Sequence, residues 1–596
     1  MKKFAALVLC LCLALTGCSN AAPSNSGSST PTEVPGSKPG STSDSGAEAA
    51  VYKTYPATFT AAGTNADTYN EMMKELTDSF GAYFEETGEL DKIAGYDEPI
   101  TVYTSNNYNS PIEDAFGDFG AMYGESMENH RWIDAYKQAF NVDVKYKWLA
   151  QDAEYNQKLR LDMTAGDLPD IFMVKDQNDL VQLSESGAIW DLTDLMDQYA
   201  VSIDKEIWET DGGALLDMCT FDGKTYAIPC SLSDTDDYSY LWIRSDWMDK
   251  LGLSYPATVE ELTNVIDAFV NADFDGNGQK DTVGILLDKD LYYSTRGLFG
   301  AFNSYPGVWV ENNGTLEWGG ISDTTKTALA CLADWYQKGY INKEFITQDN
   351  NTAMESVLSG KCGVVYGGHW MAQNFSPLHD LDPDSDWYSI KLPTGTGSDV
   401  RSALSPRSNG FLVVNSKFEH PEIAFKLRAL TSYGLKDKNS SWWYYEKNLT
   451  WQIAPVRGNV SSFDNLITYQ NLMEAYNNNN DTSLLKAKAI PYWANLHGEG
   501  KWAWERMFGP GEHTPMRVLD NAYNNNLLFY NAYTGVQSPF MQERWSTILD
   551  EQLIAFTKII IGEIGLDDGF QTWKNSFDSM GGNKITEEVN EWYKNK

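Results

Sequence analysis

The chain has 596 residues, a formal charge of −38 and an aromatic content of 13%, including 20 Trp. Phosphate binding is driven by Lys and Arg, so this charge argues against nucleic acid as a partner and against a basic membrane-surface patch. Beyond residue 18 only Cys219, Cys230, Cys331 and Cys362 remain, with no C-x-x-C spacing, which excludes a disulfide scaffold and that zinc pattern.

The N-terminus, MKKFAALVLCLCLALTGCSN, has a basic start and an apolar run too short to span a bilayer permanently, the anatomy of an export signal over residues 1–17. Its exit, Leu15-Thr16-Gly17-Cys18, resembles the bacterial lipobox, so Cys18 is expected to carry a lipid anchor. Residues 18–50 are Ser, Pro, Gly and Thr with almost nothing to bury and read as a flexible linker. At ~5–6 Å times the square root of its length, it would span on the order of 30 Å. The chain beyond this linker is long enough for two domains at ~100–200 residues each.

Residues 51–96 form an N-terminal extension without a reading of their own. Then Pro99 to Ser105 (PITVYTS) predicts a strand, and His130 to Phe140 a helix with Trp132, Ile133, Tyr136 and Phe140 on one face. Val142 to Trp148 predicts a strand, Glu154 to Gly166 a helix closing on Gly, and Asp170 to Val174 a buried strand. Strand, helix, strand, helix, strand implies an α/β fold with a largely parallel sheet and ligand loops at the carboxyl ends of the strands. In CTFDGKTYAIPC a tight turn at Asp222-Gly223 would set Cys219 opposite Tyr226 rather than opposite Cys230, which disfavours a disulfide between the two thiols.

Thr258-Val259-Glu260-Glu261 reads as a capping box, and the helix it opens runs into DFDGNGQKDTVG. Calcium loops take ligands at positions 1, 3, 5, 7 and 9, which fall here on Asp273, Asp275, Asn277, the Gln279 carbonyl and Asp281, with Gly278 at the sharp turn. Position 12 is Gly284, so the bidentate carboxylate is missing and affinity should fall toward the weaker extracellular range. The expected cofactor is a structural Ca2+. The alternative is an acidic turn in which these residues serve geometry alone.

Indole rings supply flat apolar platforms with one N–H donor, which match the C–H faces of sugars. Trp309 (YPGVWV) and the pair Trp442, Trp443 (SSWWYYEKN) stand in loop-like contexts that do not bury large rings cheaply, so some are expected to face a ligand. Trp335 shares a helical face with Ala328, Leu332 and Tyr336 and reads as core.

The segments AGDLPDIFMV, GAIWDLTDLMDQY, DGKTYAIP, LWIRSDWMDKLGLSYPATVEELTNVIDAF, KTALACLADWYQKGYINKEF, MESVLSGKCGVVYGGHW, SNGFLVVNSKFEHPEIAFKL and IIIGEIGLDDGFQTWKNSFDSMGGNKITEEVNEWY succeed one another in this chain. In that order they resemble the family 1 extracellular solute-binding lipoproteins of ABC transporters. The resemblance runs from about Pro99 to the C-terminus and implies a two-lobed periplasmic-binding-protein-like fold (type II) that closes on its ligand by hinge bending. It implies one lobe of residues 97–237 plus 392–435 and a second of 238–391 plus 436–596. It also places the ligand against Ser105 and Asn106 after the first strand, and against Tyr366, His369 and Trp370 after KCGVVYGGHW, with Trp370 the best stacking platform. Trp242, at a crossover between lobes, and Arg407 and Asn409, before FLVV, complete the candidates; a hinge role is an equal alternative for the last two. Similar acidic loops serve the family as structural metal sites.

The function this resemblance implies is capture of an oligosaccharide at the extracellular face of the bacterial cell membrane. A lipid-anchored monomer, without catalysis, would deliver the sugar to ABC transporter permease subunits. Two alternatives stay open: the same fold binding a peptide or other solute, since fold does not fix ligand, and a secreted glycoside hydrolase, which needs only two suitably spaced carboxylates.

Overall fold

The computed structural model describes residues 52–444, 446 and 449–596, with Tyr292 and Tyr293 as backbone only. The export signal, Cys18 and the linker lie outside the described residues. Nine strands build the two main sheets: β1 (Ile100–Tyr108), β2 (Val142–Gln151), β3 (Ile171–Val174), β4 (Ile228–Ser231), β5 (Tyr240–Arg244), β6 (Val283–Ile285), β7 (Cys362–Gly367), β8 (Trp387–Ile390) and β9 (Ser408–Val414). The first sheet runs β2-β1-β3-β9-β4 and the second β8-β5-β7-β6. In the first, β1 is parallel to β2 and β3, while β9 lies antiparallel to β3 and β4.

Local chemistry sets these elements. The helix Arg131–Phe140 buries Trp132, Tyr136 and Phe140 and stops at Asn141 in the left-handed region, while Asp152–Ala165 stops at Gly166 with φ +66°. At the Cys219 hairpin Asp222 and Gly223 both take positive φ, the requirement of a two-residue turn that matches strand twist. The Tyr226 N–H donates to the Cys219 carbonyl at 3.0 Å, so Cys219 faces Tyr226 as the spacing predicts, and both thiols are free.

Two hydrophobic cores accompany the two sheets, one per lobe. The first runs from Tyr69 to Cys230, leaves, and returns from Phe411 to Val456; the second runs from Tyr238 to Leu404 and from Leu466 to Val589. The chain therefore crosses between cores three times. This moves the expected boundaries. Leu392, Val400 and Leu404 pack in the second core, because the chain does not regain the first sheet until β9; Trp442, Trp443, Ile453 and Val456 pack in the first.

The N-terminal extension joins the first core through the helix Ala66–Glu86, whose buried Tyr69, Met73, Leu76, Phe80 and Phe84 recur at helical spacing. A buried ion cluster ties this region together. The Arg131 guanidinium donates to both Glu125 oxygens (2.9 and 2.6 Å), to Glu446 and to the Trp442 carbonyl (2.6 Å), and lies under the rings of Phe119, Tyr123 and Trp442. Among the described residues no helix is long and apolar enough to cross a membrane.

Candidate functional site

The three crossings run side by side and bond to one another. The Leu232 N–H donates to the Arg407 carbonyl (2.8 Å), Val460 N–H to the Ser231 carbonyl (3.3 Å) and Thr235 N–H to the Ser462 carbonyl (3.2 Å). Asp234 fastens them, accepting from the Arg407 N–H (2.6 Å) and the Tyr530 hydroxyl (2.9 Å), and burial pushes its carboxyl up to about 6. Such a ribbon of short crossings is where two lobes can bend against each other.

Two cavities open where the lobes meet. The larger, about 550 Å³, takes Gln177 and Met218 from the first lobe, Ser405 and Pro406 from a crossing, and Trp309, Trp318, Tyr533 and Trp545 from the second lobe. Trp309 and Trp545 stack at 5.6 Å, and Trp318 meets Trp545 edge-on at 4.7 Å. Asn531, Gln537, Gln552, Asp290 and Asp550 add polar groups to this aromatic wall. Apolar walls with a few placed polar groups are the usual anatomy of a small-molecule site. The smaller cavity, about 160 Å³, is lined by Ser231, Ser233, Asp236, Asn409, Trp451 and Tyr492 among others.

The residues singled out from the sequence divide. Trp370 is half-buried at the end of β7, beginning the helix Met371–Leu381, with its ring edge-on to His369 at 5.2 Å. Gly368 makes room for that ring, since a Cβ there would lie 2.5 Å from it. His369 sits 3.8 Å from Asp236, and burial holds its pKa below the ordinary value. Trp309 lines the larger cavity, although its neighbours leave it 2% exposed.

Other candidates belong to the cores. Trp242 is wholly buried on β5, its indole N–H spent on the Gly368 carbonyl at 3.1 Å. Tyr366 is buried against Gly297, and Trp442 and Trp443 are wedged into the first core by Arg131 and by a bond from the Trp443 N–H to Asp437 at 2.8 Å. The Trp442-Trp443 run looks like a loop in the sequence because Arg131, which packs on Trp442, is 311 residues away. Trp335 is core, as its helical face predicts. Ser105 is buried against the Tyr155 hydroxyl at 3.1 Å, and Asn106 donates to the Ile453 and Ala454 carbonyls. Arg407 bonds along the crossings, donating to the Ser233 carbonyl at 3.2 Å and facing Asp236 at 3.4 Å.

Two cations, one after a strand and one on the third crossing, are absent from the sequence-based candidates. Lys175 comes directly after β3, and its ammonium lies 3.4 Å from Asn409 Oδ1. Arg457, 7% exposed, reaches the same oxygen at 3.3 Å and donates to the Asn107 carbonyl at 2.9 Å. Their only sequence signal is position: Lys175 ends a buried strand in an α/β pattern, where ligand groups gather.

The acidic loop folds on itself. Asp273 accepts from the backbone N–H of Asn277 (3.1 Å) and Gly278 (2.9 Å), and the Asn277 side-chain amide donates to Asp275 (2.8 Å) and Asp281 (3.3 Å). Gly276 and Gly278 supply the positive φ the turn needs. These backbone donors lower the Asp273 pKa, and the Lys361 ammonium lowers that of Asp281. Among the described residues no three acidic, His or Cys side chains are grouped for a metal.

Residues 124–428, more than half of the chain, match the family described as bacterial extracellular solute-binding protein. The chain belongs to that family. Among relatives of this solute-binding protein, lipoprotein LipO of Bacillus subtilis is 25% identical over 501 residues, 77% of this chain and 88% of LipO. The fructooligosaccharide ABC transporter substrate-binding protein FusA of Streptococcus pneumoniae is 28% identical over 238 residues, 37% of this chain and 44% of FusA. An EF-hand mutant of FusA in complex with fructo-nystose superposes with a TM-score of 0.57 at 17% identity, covering 83% of this chain and 99% of that one. An HMO-binding solute-binding protein associated with an ABC transporter, from Bifidobacterium longum infantis, gives 0.58 at 18% identity, covering 83% and 98%. At these identities the structural likeness is one of fold, and it is the two-lobed solute-binding fold.

Proposed function

We propose that this protein captures an oligosaccharide between its lobes and hands it, uncleaved, to an ABC importer. The observation that carries this reading is the cavity of about 550 Å³ that draws on both lobes and a crossing, walled by Trp309, Trp318, Tyr533 and Trp545 and edged with amides and carboxylates. Stacked rings with hydrogen-bonding neighbours suit the alternating C–H faces and hydroxyl edges of sugars. FusA, a relative, is named for fructooligosaccharides. Trp370, half-buried at the start of the helix Met371–Leu381, is a further stacking platform in this reading. Binding shifts the hinge equilibrium toward the closed form, which the permease reads. Cys18 carries the lipid that keeps the protein, as a monomer, at the outer face of the membrane. A thermal-shift screen against neutral and acidic oligosaccharides and short peptides tests this. A ligand at a hundred times its Kd adds ~2.7 kcal/mol, so a sugar should raise the melting temperature. Stabilisation by peptides alone contradicts the reading.

The Asp273 loop is a weak structural Ca2+ site in this reading, supplied by oxygens of Asp273, Asp275, Asn277, Gln279 and Asp281. The Asp275 and Asp281 carboxylates both accept from the Asn277 amide nitrogen, which brings two of the five ligand residues together. With no carboxylate at position 12, Kd is expected near ~10⁻⁴–10⁻³ M. Saturating calcium should raise the melting temperature and a chelator should reverse it; identical melting with and without calcium would remove the site.

A further inference from the structure

Among the described residues, no carboxylate lies within ion-pair distance of either Lys175 or Arg457, although the chain carries 83 acidic residues against 45 basic ones. Both cations instead lean on one neutral oxygen, Asn409 Oδ1, at 3.4 and 3.3 Å, the long end of hydrogen-bond range. Arg457 is more than nine-tenths buried, and its Nε has no partner. Its Nη2 leans on Asn106 Oδ1 at 3.5 Å and the Asn107 carbonyl at 2.9 Å, both neutral acceptors. Burial and the adjacent guanidinium lower the Lys175 pKa to about 8.

The surrounding charges leave this pair under-compensated. Asp152 is an acid whose charge acts on both cations, and its carboxylate is engaged by the Asn107 side chain. Arg428, which donates to the Arg457 carbonyl at 2.6 Å, brings a further positive charge whose partner is Asp204 at 3.5 Å. Asn409, whose Oδ1 both cations reach, lines the smaller cavity, and Gln177, two residues beyond Lys175, lines the larger.

We infer that Lys175, backed by Arg457, is an anion-recognising subsite that takes a carboxylate of a uronate-containing oligosaccharide, displacing the Asn409 amide oxygen that bridges the two cations. This rests on the oligosaccharide reading above and names the charge of its substrate. A carboxylate supplies two oxygens in one plane, matching an ammonium and a guanidinium edge, and charge-assisted bonds shorten to ~2.7–2.9 Å where the amide reaches only weakly. Lys175 makes the more exposed contact, and the Arg457 Nη1 edge, released from Asn409 Oδ1, takes the second oxygen.

Calorimetric titration with trigalacturonate, neutral galactotriose and a sulfated galacto-oligosaccharide tests the assignment on the wild type and on Lys175→Gln and Asn409→Asp. Trigalacturonate is expected to bind the wild type, and Lys175→Gln to weaken it roughly 10- to 100-fold. Asn409→Asp, which builds a carboxylate between the cations, should weaken it similarly while raising the melting temperature of the sugar-free protein. That rise is a readout independent of any ligand. Unchanged trigalacturonate affinity in Lys175→Gln, a lower melting temperature in Asn409→Asp, or preference for the sulfated sugar would overturn the assignment. Binding of galactotriose alone, or no binding by any of the three, would overturn it and leave sugar capture to be decided by the wider oligosaccharide screen.

Discussion

Replacing Arg131 by Ala is expected to lower the stability of the first lobe by about 3–5 kcal/mol, because it strands the buried Glu125 carboxylate without its partner. Both side chains of this pair are essentially inaccessible to water (1% and 0% exposed), so solvent cannot take over the lost bonds. The guanidinium also fills the space among Phe119, Tyr123 and Trp442, and its loss leaves those rings without a partner face. Chemical denaturation monitored by Trp fluorescence measures the shift. Arg131→Met combined with Glu125→Leu should recover much of it, since an apolar pair of similar volume removes the stranded charge. If the single change costs no more than a surface substitution, the cluster does not stabilise the first lobe.

The second large effect is on capture. Trp370→Ala should weaken oligosaccharide binding by roughly 30-fold or more, the cost of truncating an aromatic anchor at ~2 kcal/mol or above. Because the ring is half-buried at a helix start, most of this loss should appear in affinity rather than in melting temperature. Gly368→Ala offers an independent handle. Its Cβ would fall 2.5 Å from the indole, so the ring must turn aside, and affinity should fall while the ring itself remains. Equal affinities for the wild type and both variants would take Trp370 out of the site.

The legibility of each feature in the sequence depends on how local its cause is. The parallel β1, β2 and β3 and their helices rest on periodicity within short windows, and the Thr258 capping box and the Asp222-Gly223 turn rest on neighbours a few residues apart. All of these can be read from the chain. The helix Ala66–Glu86 also leaves a local trace, in Tyr69, Met73, Leu76, Phe80 and Phe84, but it lies ahead of the family resemblance, which begins near Pro99.

The site is less legible, because exposure is a tertiary property. Trp242 lies in a strand covered on both faces, and Trp442 and Trp443 sit in a single helical turn clamped by Arg131 and Asp437. Nothing within ten residues of any of these rings shows which of them faces a cleft. Trp318 and Trp545 line the larger cavity beside Trp309, yet they come from a hairpin strand and from the helix Pro539–Ile560, far apart in the chain. Lys175 and Arg457 meet only because β3 ends where the third crossing begins. A strand-end Lys can be marked in advance; its partner cannot.

The most direct test of the central claim is a calorimetric titration of the protein with oligosaccharides of defined composition, with the sugar recovered afterwards and analysed by mass. Capture for transport predicts saturable binding near one sugar per chain, a negative heat-capacity change from burial of the aromatic wall, and recovery of the sugar intact. Recovery of cleaved sugar, or no saturable binding across the panel, would contradict it.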